Sequence, residues 1–413
     1  MGATSISGTC IHCLHVLQGV PPIYLIGFLL CTLTGLLILG YVFVFLLAPV
    51  PRFPFPEEKN YQTILADGSI TPPTSLPCWC DNLHAKPKIP EDAELFLSVV
   101  VPAYNEEKRL PGMLEEAVNY LERTYGTSVL PKTNGAENEK EYKLDGVGTT
   151  RKRNLNGAGT PKTQSMSMRG WEIIIVSDGS TDRTIETALA FSRDHQLSSH
   201  PKGHAGPWTP TSGEGARIPP GTIRVVKLTQ NRGKGGAVTH GMRHVRGQYV
   251  VFADADGASN FNDLGNLVKA CQEVEDSSLR GIAVGSRAHL VGSDLVVKRS
   301  KLRNFLMHAF HLTIRLLTPP QTARIKDTQC GFKLFSRATL PFIIPHMHSE
   351  GWIFDVEMLM LAEFSRIPVV EVPIGWREVT GSKLNVIWDS IGMAWGLAML
   401  RAAWGLGVYK RAM

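Results

Sequence analysis

The sequence predicts an α/β fold, a doubly wound and mostly parallel sheet of Rossmann-like type, behind an N-terminal transmembrane helix. Three apolar runs support this prediction, and each ends in a turn with acidic or amide side chains: LFLSVVVPAYNEE, EIIIVSDGSTD and QYVVFADADGA. Buried parallel strands are continuous runs of Val and Ile, and ligands bind at the carboxyl edge of such sheets. Helical apolar stripes alternate with these runs, as in repeated βα units.

Length and charge narrow the class of protein. The chain has 413 residues, enough for a large core, and a formal net charge of +6 at pH 7. This charge is too small and too dispersed for a nucleic-acid-binding protein, so we expect no nucleic-acid partner.

An N-terminal stretch, residues 23–48, is apolar enough to cross a membrane. It has no charged residue, and 17 of the 25 residues from Ile23 to Leu47 are Leu, Ile, Val or Phe. A cleaved signal peptide is the alternative, but it needs a basic segment first, and no Lys or Arg precedes Arg52. We predict a single-pass signal-anchor with a short luminal tail (residues 1–22). The remainder is expected in the cytosol, because basic residues flank only the C-terminal side.

Residues 49–94 are expected to be a linker, since PVPRFPFP cannot continue the helix. Residues 95–383 are the expected catalytic domain. Two stretches interrupt its alternating pattern, residues 127–169 and 198–221, which are rich in Gly, Pro and polar residues. Neither has apolar periodicity, so both are predicted to be solvated insertions.

The C-terminal residues 384–413 contain Trp388, Trp395 and Trp404 with few charges. A second membrane span is one interpretation. We favour a helix lying at the membrane interface, because glycines and the charges of Asp389 and Arg401 weaken a span.

Asp254 and Asp256 are two residues apart directly after a predicted strand, so both can reach one divalent cation. Their hard oxygens suit Mg²⁺ or Mn²⁺, which commonly share such ligands with substrate phosphates. Asp178 follows another strand, at the same predicted edge. A helix N-cap cluster without metal is the alternative, but the acidic turns on two strands favour a metal site for a nucleotide diphosphate.

Cationic residues follow the other predicted strands. The turn Asn231-Arg-Gly-Lys-Gly-Gly either cradles phosphate, with Lys234, or is an ordinary loop. It is not a Walker A loop, because no Ser or Thr follows Lys234, and no strand opens into GxGxxG. Arg287, Arg377 and Lys383 would each alone be surface ion-pair partners, but as a set they suit phosphates.

Eight segments together resemble the inverting glycosyltransferases of family 2, which have the GT-A fold. They lie between about Ser98 and Lys383: VVVPAYNEEKRLP, DGSTD, NRGKGGAV, DADGA, GSRAHL, DTQCGFKLF, WIFDVEML and GSKL. The resemblance implies transfer of glucose from UDP-glucose to dolichyl phosphate, a membrane lipid of the endoplasmic reticulum, for N-glycan precursor assembly. One departure is Ser177, where the family often has a second Asp.

The same resemblance implies residue roles. The uridine part of UDP-glucose would be held by Pro102, Tyr104, Glu106 and Asp178. The metal and diphosphate would be bound by Asp254 and Asp256. Other donor-binding residues would be Lys234 and Arg287. The acceptor phosphate would be faced by Arg377 and Lys383. The catalytic group would be Asp254, Asp256 and Asp327.

The reaction needs no obligatory general base if the acceptor is a phosphate. Its second pKa near 6 leaves it largely dianionic at pH 7, whereas an alcohol acceptor needs a base. A single in-line attack would convert an α-linked donor into a β-linked product. Two alternatives remain: a mannosyltransferase that uses GDP-mannose with the same lipid, and a catalytically inactive membrane scaffold.

Overall fold

The computed structural model describes residues 21–84, 92–126, 169–209, 213–290, 301–381 and 386–409. The strands are β1 (Asn60–Gln62), β2 (Thr74–Ser75), β3 (Leu95–Ala103), β4 (Trp171–Asp178), β5 (Ile223–Leu228), β6 (Gly247–Ala253), β7 (Ile282–Ser286), β8 (Phe332–Ser336) and β9 (Val369–Pro373). The helices are α1 (Pro22–Leu47), α2 (Leu110–Tyr125), α3 (Thr184–Leu197), α4 (Gly233–Met242), α5 (Leu264–Val274), α6 (Lys301–Leu317), α7 (Pro320–Arg324), α8 (Leu340–Ile343), α9 (Phe354–Phe364) and α10 (Val386–Gly405).

These strands form one sheet in the order β2-β1-β5-β4-β3-β6-β8-β7-β9. The central strands β5, β4, β3 and β6 are parallel, and β8 lies antiparallel between β6 and β7. In the register, Val99 of β3 lies between Ile173 of β4 and Val251 of β6. The predicted mostly parallel α/β sheet is therefore confirmed.

Helices cover both faces of the sheet, and alternate residues of β3 point to opposite sides. Val100 belongs to one core, which includes residues of α4, α9 and α10. Val99 and Val101 belong to the other, which includes residues of α2 and α5. Because both faces are covered, β3 and β4 are almost wholly buried, which explains their continuous apolar runs.

Part of the expected linker belongs to the sheet. Strand β1 pairs antiparallel with β5, and β2 pairs with β1. Glu58, just before β1, is buried and accepts hydrogen bonds from the backbone N–H and hydroxyl of Thr229, each 2.9 Å long. The interpretation of residues 49–94 as a linker is therefore wrong for the part that contains β1 and β2. No sign of these strands was present in the sequence, because two or three residues are too few to show an alternating pattern.

The predicted N-terminal apolar helix is present as α1. Within the described residues it is the one helix long and apolar enough to cross a membrane, with a mean hydropathy of 2.5 and almost no burial. Helix α10 differs, because its two faces have different surroundings. Leu397, Leu400 and Trp404 are buried, whereas Trp388 and Trp395 are more than half exposed.

The second predicted insertion, residues 198–221, is not a solvated loop. Where the structure describes it, the segment lies on α2, with Gly203 and Ile218 buried. The prediction of a solvated insertion was wrong because hydrogen bonds from backbone N–H groups to the buried acids Glu115 and Glu116 hold this segment on α2. Contacts of that kind produce no apolar periodicity in the sequence. Residues 1–20, residues 127–168 of the first insertion and Lys383 lie outside the described residues.

We predict that residues 127–168 can be replaced by a short Gly/Ser bridge. The ends of the excised segment already meet, because the Gly170 N–H donates to the Tyr125 carbonyl over 2.9 Å. Shortening a surface loop changes its closure free energy by only about 0.6 kcal/mol for each halving of length. Circular dichroism during thermal unfolding of the detergent-purified chain should give a melting temperature close to that of the full chain. Loss of folded protein would contradict this expectation.

Candidate active site

The turns after β3, β4 and β6 meet at the carboxyl edge of the sheet. Asn105, with a positive φ of 54°, accepts hydrogen bonds from the backbone N–H groups of Thr181 and Asp182 at 2.7 and 3.3 Å. Gly179, with φ 67°, lies so close to the next turn that an added Cβ would be 2.6 Å from the Asn231 nitrogen. Backbone shape thus joins the turns after β3, β4 and β5. The turn after β6 is connected to them by the contacts of Asp254 with Lys234 and of Asp256 with Arg109.

Asp254 is the carboxylate at the end of β6. Its Oδ1 lies 2.6 Å from the Nζ of Lys234, and its backbone N–H donates to the Gly331 carbonyl. A Cβ at position 331 would come within 2.0 Å of Asp254 Oδ2. The glycine of the DTQCGFKLF segment is therefore required for the position of this carboxylate.

Asp256 accepts a hydrogen bond from the Ala258 N–H through Oδ1, and its Oδ2 lies 3.9 Å from the Nη1 of Arg109. Arg109 is held by Glu106 through two hydrogen bonds of 2.7 and 2.6 Å. The structure thus places Glu106, assigned by resemblance to uridine, as the ion-pair partner of Arg109. Sequence reasoning missed Arg109, although an acid and a base three residues apart, in the turn that leads into α2, were a usable signal.

The acidic pair fits a divalent cation. Burial, and then the neighbouring charge of Asp254, raise the pKa of Asp256, so two anions lie close in a partly buried place. In the described part of the chain no group of three or more His, Cys, Asp and Glu side chains is arranged for a metal. A cation between Asp254 and Asp256 would therefore take its other ligands from a diphosphate and water, as Mg²⁺ commonly does.

Asp178 fixes the start of the NRGKGG turn. Its Oδ1 accepts a 2.6 Å hydrogen bond from the Arg232 N–H, and burial raises the pKa of this carboxyl to about 6. Gly235 lies against α9, where an added Cβ would be 2.5 Å from the Cβ of Phe354. These contacts bring the N-terminus of α4, and with it Lys234, to the acidic pair.

Arg287 and Asp327 form a two-pronged ion pair, with hydrogen bonds of 2.7 and 2.8 Å from the guanidinium and one of 2.9 Å from the Arg287 N–H. Burial opposes ionisation of Asp327, but these bonds and the charge of Arg287 hold its pKa below the ordinary value. The guanidinium also lies over the Trp376 ring, 5.7 Å from its centroid. Asp327 therefore orients Arg287 and is poorly suited to take up a proton.

A buried ion pair between Lys333 and Asp355 lies beneath the acidic pair. Lys333 is fully buried and also donates to the Cys330 carbonyl over 2.6 Å. Burial raises the pKa of Asp355, and the positive charges of Lys333 and Lys234 partly oppose this rise. The sequence signal for this pair is weak: Lys333 is the one charge in the apolar segment GFKLF, but the apolar segment WIFDVEML contains Glu357 as well as Asp355.

The remaining predicted residues lie at the rim of the site. Pro102 is opposite Val176 near the end of β3, and Tyr104 follows with 39% of its surface exposed. Arg377 is close to the acidic turn, because its backbone N–H donates to the Ala258 carbonyl over 2.9 Å. The predicted phosphate residue Lys383 lies outside the described part of the chain.

Comparison with known proteins gives consistent relatives. Residues 214–337 match the family model Glycosyl transferase family 2. The dolichyl-phosphate beta-glucosyltransferase of Saccharomyces cerevisiae is 38% identical over 384 residues, which cover 92% of this chain and 93% of that protein. The proteins of the same name from Dictyostelium discoideum and Homo sapiens are 39% and 34% identical, over 76% and 78% of this chain and 77% and 80% of their own lengths. Among solved structures, glucosyl-3-phosphoglycerate synthase of M. tuberculosis is 18% identical, with a TM-score of 0.41, over 75% of this chain and 81% of that chain.

We predict that Asp355→Ala destabilises the protein by about 3–5 kcal/mol, because it leaves the buried Lys333 ammonium unpaired. The double variant Lys333→Met/Asp355→Leu should recover most of this loss, since it removes both charges. Denaturant unfolding followed by tryptophan fluorescence measures the change. As a control, Arg183→Ala breaks an exposed ion pair with Glu107 and should have a much smaller effect. Equal stability of Asp355→Ala and the unmodified chain would contradict the prediction.

Proposed function

The chain belongs to the dolichyl-phosphate beta-glucosyltransferases of glycosyltransferase family 2, and from that premise we propose that it transfers glucose from UDP-glucose to dolichyl phosphate. The product would be dolichyl β-D-glucosyl phosphate, formed with inversion. The relatives' shared name favours glucose over the GDP-mannose alternative and an active enzyme over a membrane scaffold. The observation that carries the proposal in the structure is the acidic pair Asp254/Asp256 facing two cations at the carboxyl edge of the sheet.

The donor diphosphate would lie at this acidic pair. A divalent ion, Mg²⁺ or Mn²⁺, held by Asp254 and Asp256 would neutralise the negative charge that grows on UDP as the glycosidic bond breaks. Lys234 and Arg109 supply further positive charge from the protein, at 2.6 Å and 3.9 Å from the two carboxylates. Their ion pairs hold both side chains in place before the donor arrives, so little reorganisation is needed during the reaction.

Other predicted residues fit around that position. Pro102, Tyr104 and Asp178 belong to the ends of the two neighbouring strands and would surround the uridine part. Arg287 would contact a phosphate, because Asp327 fixes its guanidinium near the site. With its pKa lowered, Asp327 is a weak base, which suits an acceptor phosphate that is already ionised.

The acceptor would come from the membrane side. Helix α1 supplies a membrane anchor, and α10 exposes Trp388, Ile391 and Trp395 as an apolar face suited to the interface. Arg377, with Lys383, would receive the lipid phosphate. Arg52 and Lys59 follow the anchor, so we place the catalytic domain on the cytosolic side of the endoplasmic reticulum membrane.

We predict that Asp254→Asn and Asp256→Asn each lower kcat by at least about 100-fold, since metal stabilisation of developing charge is worth several kcal/mol. A chelator should abolish activity, and added Mg²⁺ or Mn²⁺ should restore it. Transfer of labelled glucose to extractable lipid is the measurement. Glu273→Gln, an exposed change on α5, is the matched control and should leave turnover unchanged. Full activity of the purified chain in excess chelator would refute the metal assignment.

The substrates can be tested in sealed microsomes that contain this chain. Labelled UDP-glucose added outside should yield glucosylated polyprenyl phosphate without detergent, whereas labelled GDP-mannose and free polyprenol should give no product that depends on the chain. Equal use of the free alcohol would show that a general base operates. A strict need for detergent would refute the cytosolic orientation.

A further inference from the structure

Two stretches of the expected second insertion, residues 201–209 and 213–218, form a strap across α2. Two consecutive glutamates of α2 fasten it. Glu115 accepts a hydrogen bond from the His204 N–H, and Glu116 accepts two, from the Trp208 and Thr209 N–H groups, at 2.7 and 3.1 Å. Both acids are less than 10% exposed. Since a buried carboxylate is costly unless it is hydrogen-bonded, the strap is a necessary partner of α2.

The strap places Trp208 beside the acidic turn. The indole Nε1 donates to the Gly257 carbonyl over 3.2 Å, directly after Asp256. The ring also lies over Gly375, where an added Cβ would be 2.9 Å from Cη2. Trp208 is thereby fixed both to the turn after β6 and to the segment after β9.

Arg377 lies on this indole. Its guanidinium carbon is 4.3 Å from the ring centroid, and its Nη1 donates to the Pro207 carbonyl over 2.5 Å. The hydrogen bond uses one of the five N–H donors of the guanidinium. A long and exposed arginine side chain is thus held in one orientation while it keeps donors for an oxyanion.

The location of Arg377 points to the acceptor. Lys234 and Arg109 are the partly buried cations beside the acidic pair, with side chains 15% and 18% exposed, whereas Arg377 is exposed at the rim. Its segment also leads along the chain to α10, the helix with an exposed apolar face. A lipid phosphate arriving from the interface would meet Arg377 before it reached the inner cations.

We propose that Trp208 is a positioning residue for the acceptor, which holds Arg377 ready for the lipid phosphate. This inference rests on the proposed function. Without the indole, Arg377 must lose its conformational freedom each time an acceptor binds, so the acceptor is bound more weakly while the donor site is unchanged.

Steady-state kinetics of the full chain in detergent tests this role. Trp208→Ala should raise KM for dolichyl phosphate by about 3- to 10-fold, the range expected for an exposed cation–π contact and the ordering it provides. KM for UDP-glucose should stay within about twofold of the unmodified value, as the donor cations are untouched. Trp208→Phe, which keeps an aromatic face, should restore most of the acceptor affinity. Lys202→Ala, an exposed change on the strap away from Arg377, is the matched control and should change neither KM.

A double-mutant cycle separates positioning from general damage. In an Arg377→Ala background, Trp208→Ala should raise the acceptor KM no further. If the double variant raises the acceptor KM by the product of the two single-variant factors, the role of Trp208 is overturned. A rise in the KM for UDP-glucose in place of the acceptor KM would overturn it as well. If Trp208→Ala does not fold, Trp208→Leu replaces it, with the same expectations. Absence of glucosyl transfer by the unmodified chain would refute the proposed function, whereas normal transfer with an unchanged acceptor KM in Trp208→Ala would refute only this inference.

Discussion

The protein must hold Asp254 and Asp256 close together at the edge of a sheet, where burial and the neighbouring charge of Asp254 raise the pKa of Asp256. Two unit charges about 4 Å apart interact by about 4 kcal/mol at an effective dielectric of about 20, so such a pair needs compensation. Lys234 and Arg109 provide this compensating positive charge directly, and the Lys333–Asp355 ion pair, which has no net charge, lies beneath the two carboxylates. Much of the surrounding structure serves to bring these cations to the acidic turn.

Each cation comes from a different part of the chain, and an acid positions either its side chain or the turn that carries it. Arg109 is held by Glu106 at the start of α2, and Arg287 is held by Asp327 after β7. Lys234 depends on the NRGKGG turn, which Asp178 fixes through the backbone of Arg232. Glu106, Asp178 and Asp327, which the sequence resemblance assigned to the uridine or to the catalytic group, therefore form hydrogen bonds here that position cations or the turn that carries one. A site built in this way is suited to bind phosphates and to stabilise a leaving diphosphate, more than to move protons.

The two sides of the site have different supports. The inner side depends on the parallel sheet, where strand ends and the close approach of Gly331 set the position of Asp254. The outer side depends on the strap, on Trp208 and on the segment that leads to α10. This division matches the two substrates of the proposed reaction, a soluble nucleotide sugar and a membrane lipid. It also explains why the strap is attached to α2 by buried acids, since an exposed loop without such bonds could not hold Arg377.

The sequence by itself determined the features that depend on local pattern. Continuous apolar runs identified β3, β4 and β6, because strands buried on both faces need an apolar side chain at nearly every position. The acidic turns followed directly from the ends of those runs, and the length and apolarity of α1 from residues 23–48. Only the tertiary structure decided which partner each charge has. Glu106 pairs with Arg109, three positions away in the same turn, whereas Asp327 pairs with Arg287, 40 positions away. No alternation of apolar and polar residues marked β1, β2 or the strap in the sequence, because hydrogen bonds to residues distant in the chain hold these segments. Such contacts depend on where the chain returns in space, and that is decided by the packing of the whole domain.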